Sequence, residues 1–247
     1  MKSEVSLNQQ KNVMIVAFWP LFFQGLRDAA LGPVWMLGAS MMGFGALMRA
    51  KGHEWYEGIF SNLTAFALPG QVILIELYEP TASLIAIWLA VAASSVRLMP
   101  MAVVFITAVC PKGVAMWKQL LLGHVIAITA WVYVLNKRDT LTRDQLWPYA
   151  NGFAWTMFFG VLPFPVFGYF AGDIFPPVVA MAFLMFMPIY FATLFSAEWK
   201  HRGRFMAILL GAVLGPPLYT LDPNWGLIVT GLVSGTTAFL IDKRLQS

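Results

Sequence analysis

The stretch Phe66-Ala67-Leu68-Pro69-Gly70-Gln71 places a proline–glycine pair and a glutamine inside a long apolar run. Proline removes a backbone N–H and clashes with the preceding helical turn, so a helix through Pro69-Gly70 kinks or breaks. In hydrocarbon, the backbone groups that such a break frees are tolerated only against protein or a water-filled cavity. The stretch therefore predicts a broken membrane helix whose ends face the protein interior.

A second break is predicted at Met99-Pro100, which follows Arg97 within the apolar run 83–109. As one helix this run would be about 40 Å long, which exceeds the roughly 30 Å hydrocarbon core. Two short or re-entrant pieces that meet near Arg97 and Pro100 fit better. An arginine at mid-membrane costs roughly 2.5–3.5 kcal/mol on insertion scales, and broken helices beside a buried charge are typical of transport sites. The alternative is that Arg97 snorkels from a helix end and the prolines only bend helices.

Composition indicates that the whole chain lies in a membrane. Hydrophobic residues make up 59% of the 247 residues and charged residues 11%, against roughly 45–50% and 25% in soluble domains. The charges cluster in short islands between apolar runs. We therefore predict an all-α polytopic membrane protein with about seven to eight transmembrane helices. Residues 1–247 are expected to form a single transporter domain, with a flexible tail at 1–12.

Apolar runs long enough to cross a bilayer mark the predicted spans. Residues 13–23 contain Pro20 and are too short, so they are predicted to lie at the interface or to form a half-helix. Glycines at positions 38, 43 and 45 indicate close helix contacts. The predicted spans are 31–48, 58–78, 83–109, 117–135, 151–170, 178–195, 205–221 and 225–241.

Basic residues in the loops orient the predicted helices. Lysine and arginine in loop 198–204 and near the C-terminus place both segments in the cytoplasm. Counting back, loop 171–177 is predicted to lie outside and loop 136–148 inside. If 83–109 crosses the membrane once, loop 49–54 lies outside with its Arg49 and Lys51. If 83–109 enters and leaves on one side, which charge and length favour, loop 49–54 is cytoplasmic. We expect a multi-pass protein of the inner (plasma) membrane with a cytoplasmic C-terminus.

The sequence lacks the motifs of common enzyme classes: there is no hydrolase elbow, zinc-protease helix or nucleotide-binding glycine loop. His53, His124 and His201 are far apart, without cysteine or carboxylate at ligand spacing, which argues against a metal site. Cys110 is the only cysteine, so an internal disulfide is excluded. The net charge of +4 lies in loops and does not indicate nucleic-acid binding. We predict no enzyme activity, no cofactor and no metal.

Two titratable side chains within predicted spans are candidates for proton coupling. His124 lies inside span 117–135, and a membrane histidine either relays protons or bonds a neighbouring helix. Glu76 follows Gln71 by one to two turns on the same segment. Its position near the end of span 58–78 is also compatible with a purely interfacial role.

The order of these features resembles the large subunit of AzlC-type branched-chain amino acid exporters over nearly the whole chain. The similar features are an early Gly25-Leu26-Arg27, a glycine-rich first span ending in Gly43-Phe44-Gly45, the stretch 66–71, the triplet Ser95-Val96-Arg97, and a Phe-rich span at 178–195 before the basic loop 198–204. The motifs are short, so the resemblance depends on their order and spacing.

The chain departs from the family pattern at three places. Ser95 stands where the family has asparagine, and Leu68-Pro69-Gly70 replaces Gly-Ala-Ser. Thr129-Ala130-Trp131 stands where the family has Thr-Asp-Glu, so two carboxylates are missing. Because an intramembrane carboxylate is an obvious site for proton coupling or for an amino group, the cargo and the coupling ion stay open.

The resemblance implies a secondary transporter that exports branched-chain or other small neutral amino acids, driven by the proton motive force. It also implies a small AzlD-type membrane subunit as partner, and the glycine-lined face of 31–48 is one plausible docking surface. In the site, Arg97 or the half-helix N-terminus at Pro69 would meet the substrate carboxylate, and apolar walls would take its side chain. The alternative is a membrane scaffold or assembly subunit without transport of its own. The predicted substrate-binding residues are Phe66, Pro69, Gly70, Gln71, Ser95 and Arg97.

Overall fold

The computed structural model describes residues 18–78, 83–96, 98–174, 176–196, 202–221 and 226–246, and the regular structure in these ranges is helical. This confirms the all-α class. The helices are α1 Phe18–Leu31, α2 Pro33–Ala50, α3 Trp55–Thr64, α4 Leu68–Leu77, α5 Leu84–Ser95, α6 Leu98–Val109, α7 Met116–His124, α8 Ile128–Leu135, α9 Arg143–Val161, α10 Pro163–Ala171, α11 Pro177–Ser196, α12 Arg202–Leu221 and α13 Gly226–Gln246.

Several helices are apolar enough for a bilayer. Within the described ranges, Arg143–Ala171, which joins α9 and α10, is long and apolar enough to cross a membrane. The bent pairs α1–α2 and α7–α8 raise the number of such spans to three if each pair counts as one. Helices α4 and α6 are apolar but cover only about half of the hydrocarbon thickness. The polytopic membrane class is therefore confirmed, while the number of seven to eight crossings stays a prediction.

Both breaks predicted from the prolines are present. Helix α3 ends at Thr64 and α4 begins at Leu68, with Pro69 in the first turn of α4. Helix α5 ends at Ser95 and α6 begins at Leu98, with Pro100 in its first turn. A proline in the first turn costs no intrahelical hydrogen bond, because the N–H groups there have no helical acceptor. Each chain break therefore precedes its proline by a few residues.

A third break lies where one continuous span, 117–135, was predicted. Helices α7 and α8 meet at an angle of 115° across residues 125–127. Val125 and Ile126 are buried at this break, which contains no proline. The predicted span 117–135 is therefore not one continuous helix, and it forms either a broken span or a re-entrant loop.

Helix α9 is the centre of the packed core. Tyr149, Phe153 and Met157 follow one face of α9 and are fully buried. The helix begins with a capping box, in which the Thr142 N–H donates to the side-chain oxygen of Gln145 at 3.0 Å. Since α2, α6, α7 and α8 all pack on α9, this helix fixes the positions of the broken segments.

Glycines bring α2 and α10 into close parallel contact. A Cβ at Gly45 would overlap the Pro165 carbonyl, and a Cβ at Gly168 would overlap the Met42 carbonyl. At Gly38, a Cβ would lie 2.6 Å from the Phe164 ring. The predicted close contacts of the glycine-rich span are thus confirmed.

The same contacts correct the predicted docking surface for a partner subunit. Gly38 and Gly45 face α10, and Gly43 faces the backbone of Leu184 in α11. The chain's own helices cover the glycine-lined face of α2, so a partner has to bind elsewhere.

Ion pairs also correct the predicted sides of two loops. Arg49 makes a bidentate ion pair with Asp173, and Lys51 Nζ lies 2.7 Å from Glu76 Oε2. Loops 49–54 and 171–174 therefore lie at the same end of the molecule. The prediction that one is cytoplasmic and the other external is wrong, because a salt bridge cannot reach across a bilayer.

The described residues fall into two compact units, one up to Met187 and one from Pro188 onwards. In the second unit α12 packs on α13, where Gly203 lies against Asp242 and Gly226 against Leu218. The single transporter domain over the whole chain stays a prediction.

Candidate functional site

Three of the helix breaks in the first unit meet at one small cavity. Its volume is about 30 Å³, which is room for water but not for an amino acid. None of the described residues that line it is charged. The break before α4 contributes Phe66, Ala67, Pro69 and Gly70, the break before α6 contributes Ser94 and Leu98, and the break before α8 contributes Ile126, Ala127 and Ile128.

The N-terminal ends of α4, α6 and α8 all reach this cavity, because Pro69, Leu98 and Ile128 line it. A helix N-terminus carries roughly half a positive charge and N–H groups without intrahelical acceptors. The three helices have no acidic residue in their first turns. The three N-terminal turns thus add a positive potential at the cavity, which suits one carboxylate or another small anion.

Gly70 lets α4 approach the end of α5. A Cβ at this position would lie 3.2 Å from Ser95 Oγ and 3.3 Å from Ser94 Oγ. Both distances are at the limit of van der Waals contact, so the absence of a side chain keeps the cavity open. The structure therefore brings Phe66, Pro69, Gly70 and Ser95 together as predicted.

A buried amide pair lies beside the first break. Gln71 Nε2 in α4 donates to Asn62 Oδ1 at 2.8 Å and to Ser61 Oγ at 3.1 Å, both in α3. Gln71 and Asn62 are 2% and 0% exposed. Gln71 Oε1 and Asn62 Nδ2 have no hydrogen-bond partner within the described structure. The prediction singled out Gln71 but missed Asn62, although an asparagine in an apolar run is a signal in itself.

His124 links the C-terminal ends of α7 and α3. Its Nε2 lies 2.8 Å from the carbonyl oxygen of Leu63, in the last turn of α3. Because a carbonyl only accepts, the Nε2 nitrogen donates this hydrogen bond. The imidazole also packs on Phe158, which in turn packs on Phe66 with ring centroids 5.2 Å apart. His124 thus contacts the α3–α4 break directly, which its sequence distance did not indicate.

Glu76 lies away from this arrangement. Glu76 is exposed near the C-terminal end of α4 and is paired with Lys51. It does not line the cavity. Arg97 lies outside the described residues, and its neighbour Leu98 lines the cavity.

Comparison with known proteins points to one family. A family model described as AzlC protein matches residues 33–175, which is more than half of the chain and contains all three breaks. No curated protein and no solved structure matches the chain.

Proposed function

The chain belongs to the AzlC family, a membrane transport family associated with branched-chain amino acids, and from this premise we propose that it is a secondary transporter that exports small neutral amino acids. The proton motive force drives export, and branched-chain amino acids are the leading substrates. The protein acts in the inner (plasma) membrane with its C-terminus in the cytoplasm.

The observation that carries this proposal is the meeting of three interrupted helices at a cavity whose described lining is uncharged. Discontinuous helices whose N-termini point at anionic substrate groups are the usual binding site of secondary transporters. The substrate carboxylate is stabilised by the N-terminal turns of α4 and α8 at Gly70 and Ile128. Arg97 is proposed as a further, positively charged partner of the carboxylate. Phe66 and Ile126 supply apolar wall for an aliphatic side chain.

An amino acid does not fit into the cavity as it stands, since the cavity volume is about 30 Å³. Binding therefore requires the half-helices to separate. Helices α4 and α8 are short and end at breaks on the cavity side, so they are suited to a rocking motion against α9.

Proton coupling is assigned first to His124. This residue bonds the Leu63 carbonyl oxygen in the last turn of α3 and so links α7 to α3. A proton taken up by the imidazole adds a charge at this link, which is how His124 would couple transport to protons. Glu76 is the weaker candidate because Lys51 already neutralises it.

A small AzlD-type subunit is proposed as the partner. The glycine face of α2 is occupied by the chain itself. The partner thus binds another lipid-facing surface, and the chain alone is expected to insert but to export poorly.

The test is counterflow in liposomes that contain the purified chain, with and without the partner subunit. Labelled leucine, valine, isoleucine, methionine and alanine form the panel, and empty liposomes form the control. We expect counterflow of branched-chain amino acids with the partner present. We also expect net efflux driven by a pH gradient, and the loss of this efflux when a protonophore removes the gradient. No flux of any neutral amino acid under either condition would refute the proposal, and full activity of the chain alone would rule out an obligatory partner.

A further inference from the structure

The amide pair of Asn62 and Gln71 carries hydrogen-bonding capacity that helix packing does not use. The pair shares one hydrogen bond of 2.8 Å, and Ser61 accepts a second from Gln71. One acceptor, Gln71 Oε1, and one donor, Asn62 Nδ2, are buried without a partner. Burying such atoms unpaired costs free energy, and apolar residues of similar shape would avoid that cost. An amide pair joined by one hydrogen bond leaves a spare donor and a spare acceptor whichever amide donates.

We propose that Asn62 and Gln71 bind the charged backbone end of a zwitterionic amino acid, an inference that rests on the proposed function. Gln71 Oε1 accepts a hydrogen bond from the ammonium group, and Asn62 Nδ2 donates one to the carboxylate. Neither amide is charged, so the pair matches a ligand that carries one positive and one negative group. A substrate that lacks either group leaves one amide unpaired.

The position of the pair supports this role. Gln71 directly follows Gly70, which lines the cavity, and Asn62 lies in the last turn of α3, just before the break. The N-terminal turn of α4, which stabilises a carboxylate, contains Gly70 itself. Neither amide lines the cavity in this structure, so the pair meets a substrate only when the α3–α4 break opens. Asn62 thereby becomes a specificity-determining residue alongside the predicted Gln71.

The experiment measures binding of labelled L-leucine to the purified full-length chain with its partner subunit. The variants are Asn62→Leu and Gln71→Met, which keep approximate shape and remove the polar groups. Each is expected to lower leucine affinity by at least about tenfold, since a hydrogen bond to a charged group is lost. Competition with 3-methylbutylamine, which lacks the carboxylate, should weaken in Gln71→Met but not in Asn62→Leu. Competition with 4-methylpentanoate, which lacks the amino group, should show the opposite pattern.

Thermal stability separates a ligand site from a structural hydrogen bond. The double variant Asn62→Leu/Gln71→Met replaces both unpaired polar atoms, so its Tm should equal or exceed that of the wild type. Ser61→Ala is the matched control, because it keeps the amide pair and should change leucine affinity little. A double variant with a lowered Tm and wild-type leucine affinity would overturn the inference in favour of a structural pair. If both single variants bind leucine with wild-type affinity, the role of the amide pair is refuted and the proposed function stands. If the wild type binds no neutral amino acid, the proposed function is refuted as well.

Discussion

Replacing Gly70 by alanine should block transport without harming the fold. The new Cβ would lie 3.2 Å from Ser95 Oγ and 3.3 Å from Ser94 Oγ, and both contacts are with side-chain tips that can turn away. Alanine also favours a helix over glycine by up to about 1 kcal/mol. The free energy of unfolding should therefore stay within about 1 kcal/mol of the wild type.

The effect on transport follows from the space between the α4 N-terminus and the end of α5, which the added methyl group narrows. A methyl group that destabilises the substrate-bound state by roughly 1–3 kcal/mol relative to the empty protein gives about a 5- to 150-fold loss, at roughly 1.4 kcal/mol per factor of ten. Leucine counterflow, normalised to inserted protein, should fall within this range.

Two other glycines provide the controls. Gly45→Ala should lower the Tm and the amount of folded protein, because its Cβ meets the Pro165 backbone and α2 has to move from α10. Gly235→Ala should be neutral in both measurements, since nothing lies within 4 Å of its Cβ position. A Gly70→Ala protein with wild-type counterflow and wild-type Tm would show that the substrate does not pass the α4 N-terminus.

Three further predictions concern charge. Arg97→Lys should reduce efflux and Arg97→Ala should abolish it at normal membrane levels, because lysine lacks the planar fork that fits a carboxylate; wild-type rates in both would place the carboxylate elsewhere. His124→Ala should weaken the pH dependence of efflux and Glu76→Gln should leave it nearly unchanged, and the reverse result would contradict the assignment of coupling to His124. Cysteines introduced in place of Arg49 and Asp173 should both react with an impermeant thiol reagent from the same side of the membrane, and labelling from opposite sides would refute the observed ion pair.

Some of the helix breaks and close helix contacts could be predicted from proline and glycine in the sequence. Pro69 and Pro100 marked two of the breaks, and the glycines of the first span marked close helix contacts. These signals are local: a missing N–H or a missing Cβ acts within one turn or one contact. The proline–glycine pair also identified Phe66 and Gly70 as neighbours of a break, whereas Ser95 was singled out by the resemblance to the family.

The remaining features depend on tertiary contacts that no local signal carries. The α7–α8 break has no proline, and its residues Val125 and Ile126 are buried in the hydrophobic core. The pairing of Arg49 with Asp173 joins positions more than a hundred residues apart, so counting charges assigned their loops to opposite sides. Asn62 was missed because its importance comes from Gln71, on the far side of the break.

The most direct test of the three-break site is substrate protection of a cysteine at Ala127, which lines the cavity at the α7–α8 break. Cys110 is replaced by serine beforehand, although burial raises the pKa of its thiol and slows its reaction. A cysteine at Thr140, in an exposed loop, serves as the control. A substrate site at the three breaks predicts slow maleimide labelling at position 127. With the partner present, saturating leucine should slow this labelling at least severalfold, while labelling at 140 does not change. Labelling at 127 that leucine leaves unaffected, in a protein that still transports leucine, would contradict it.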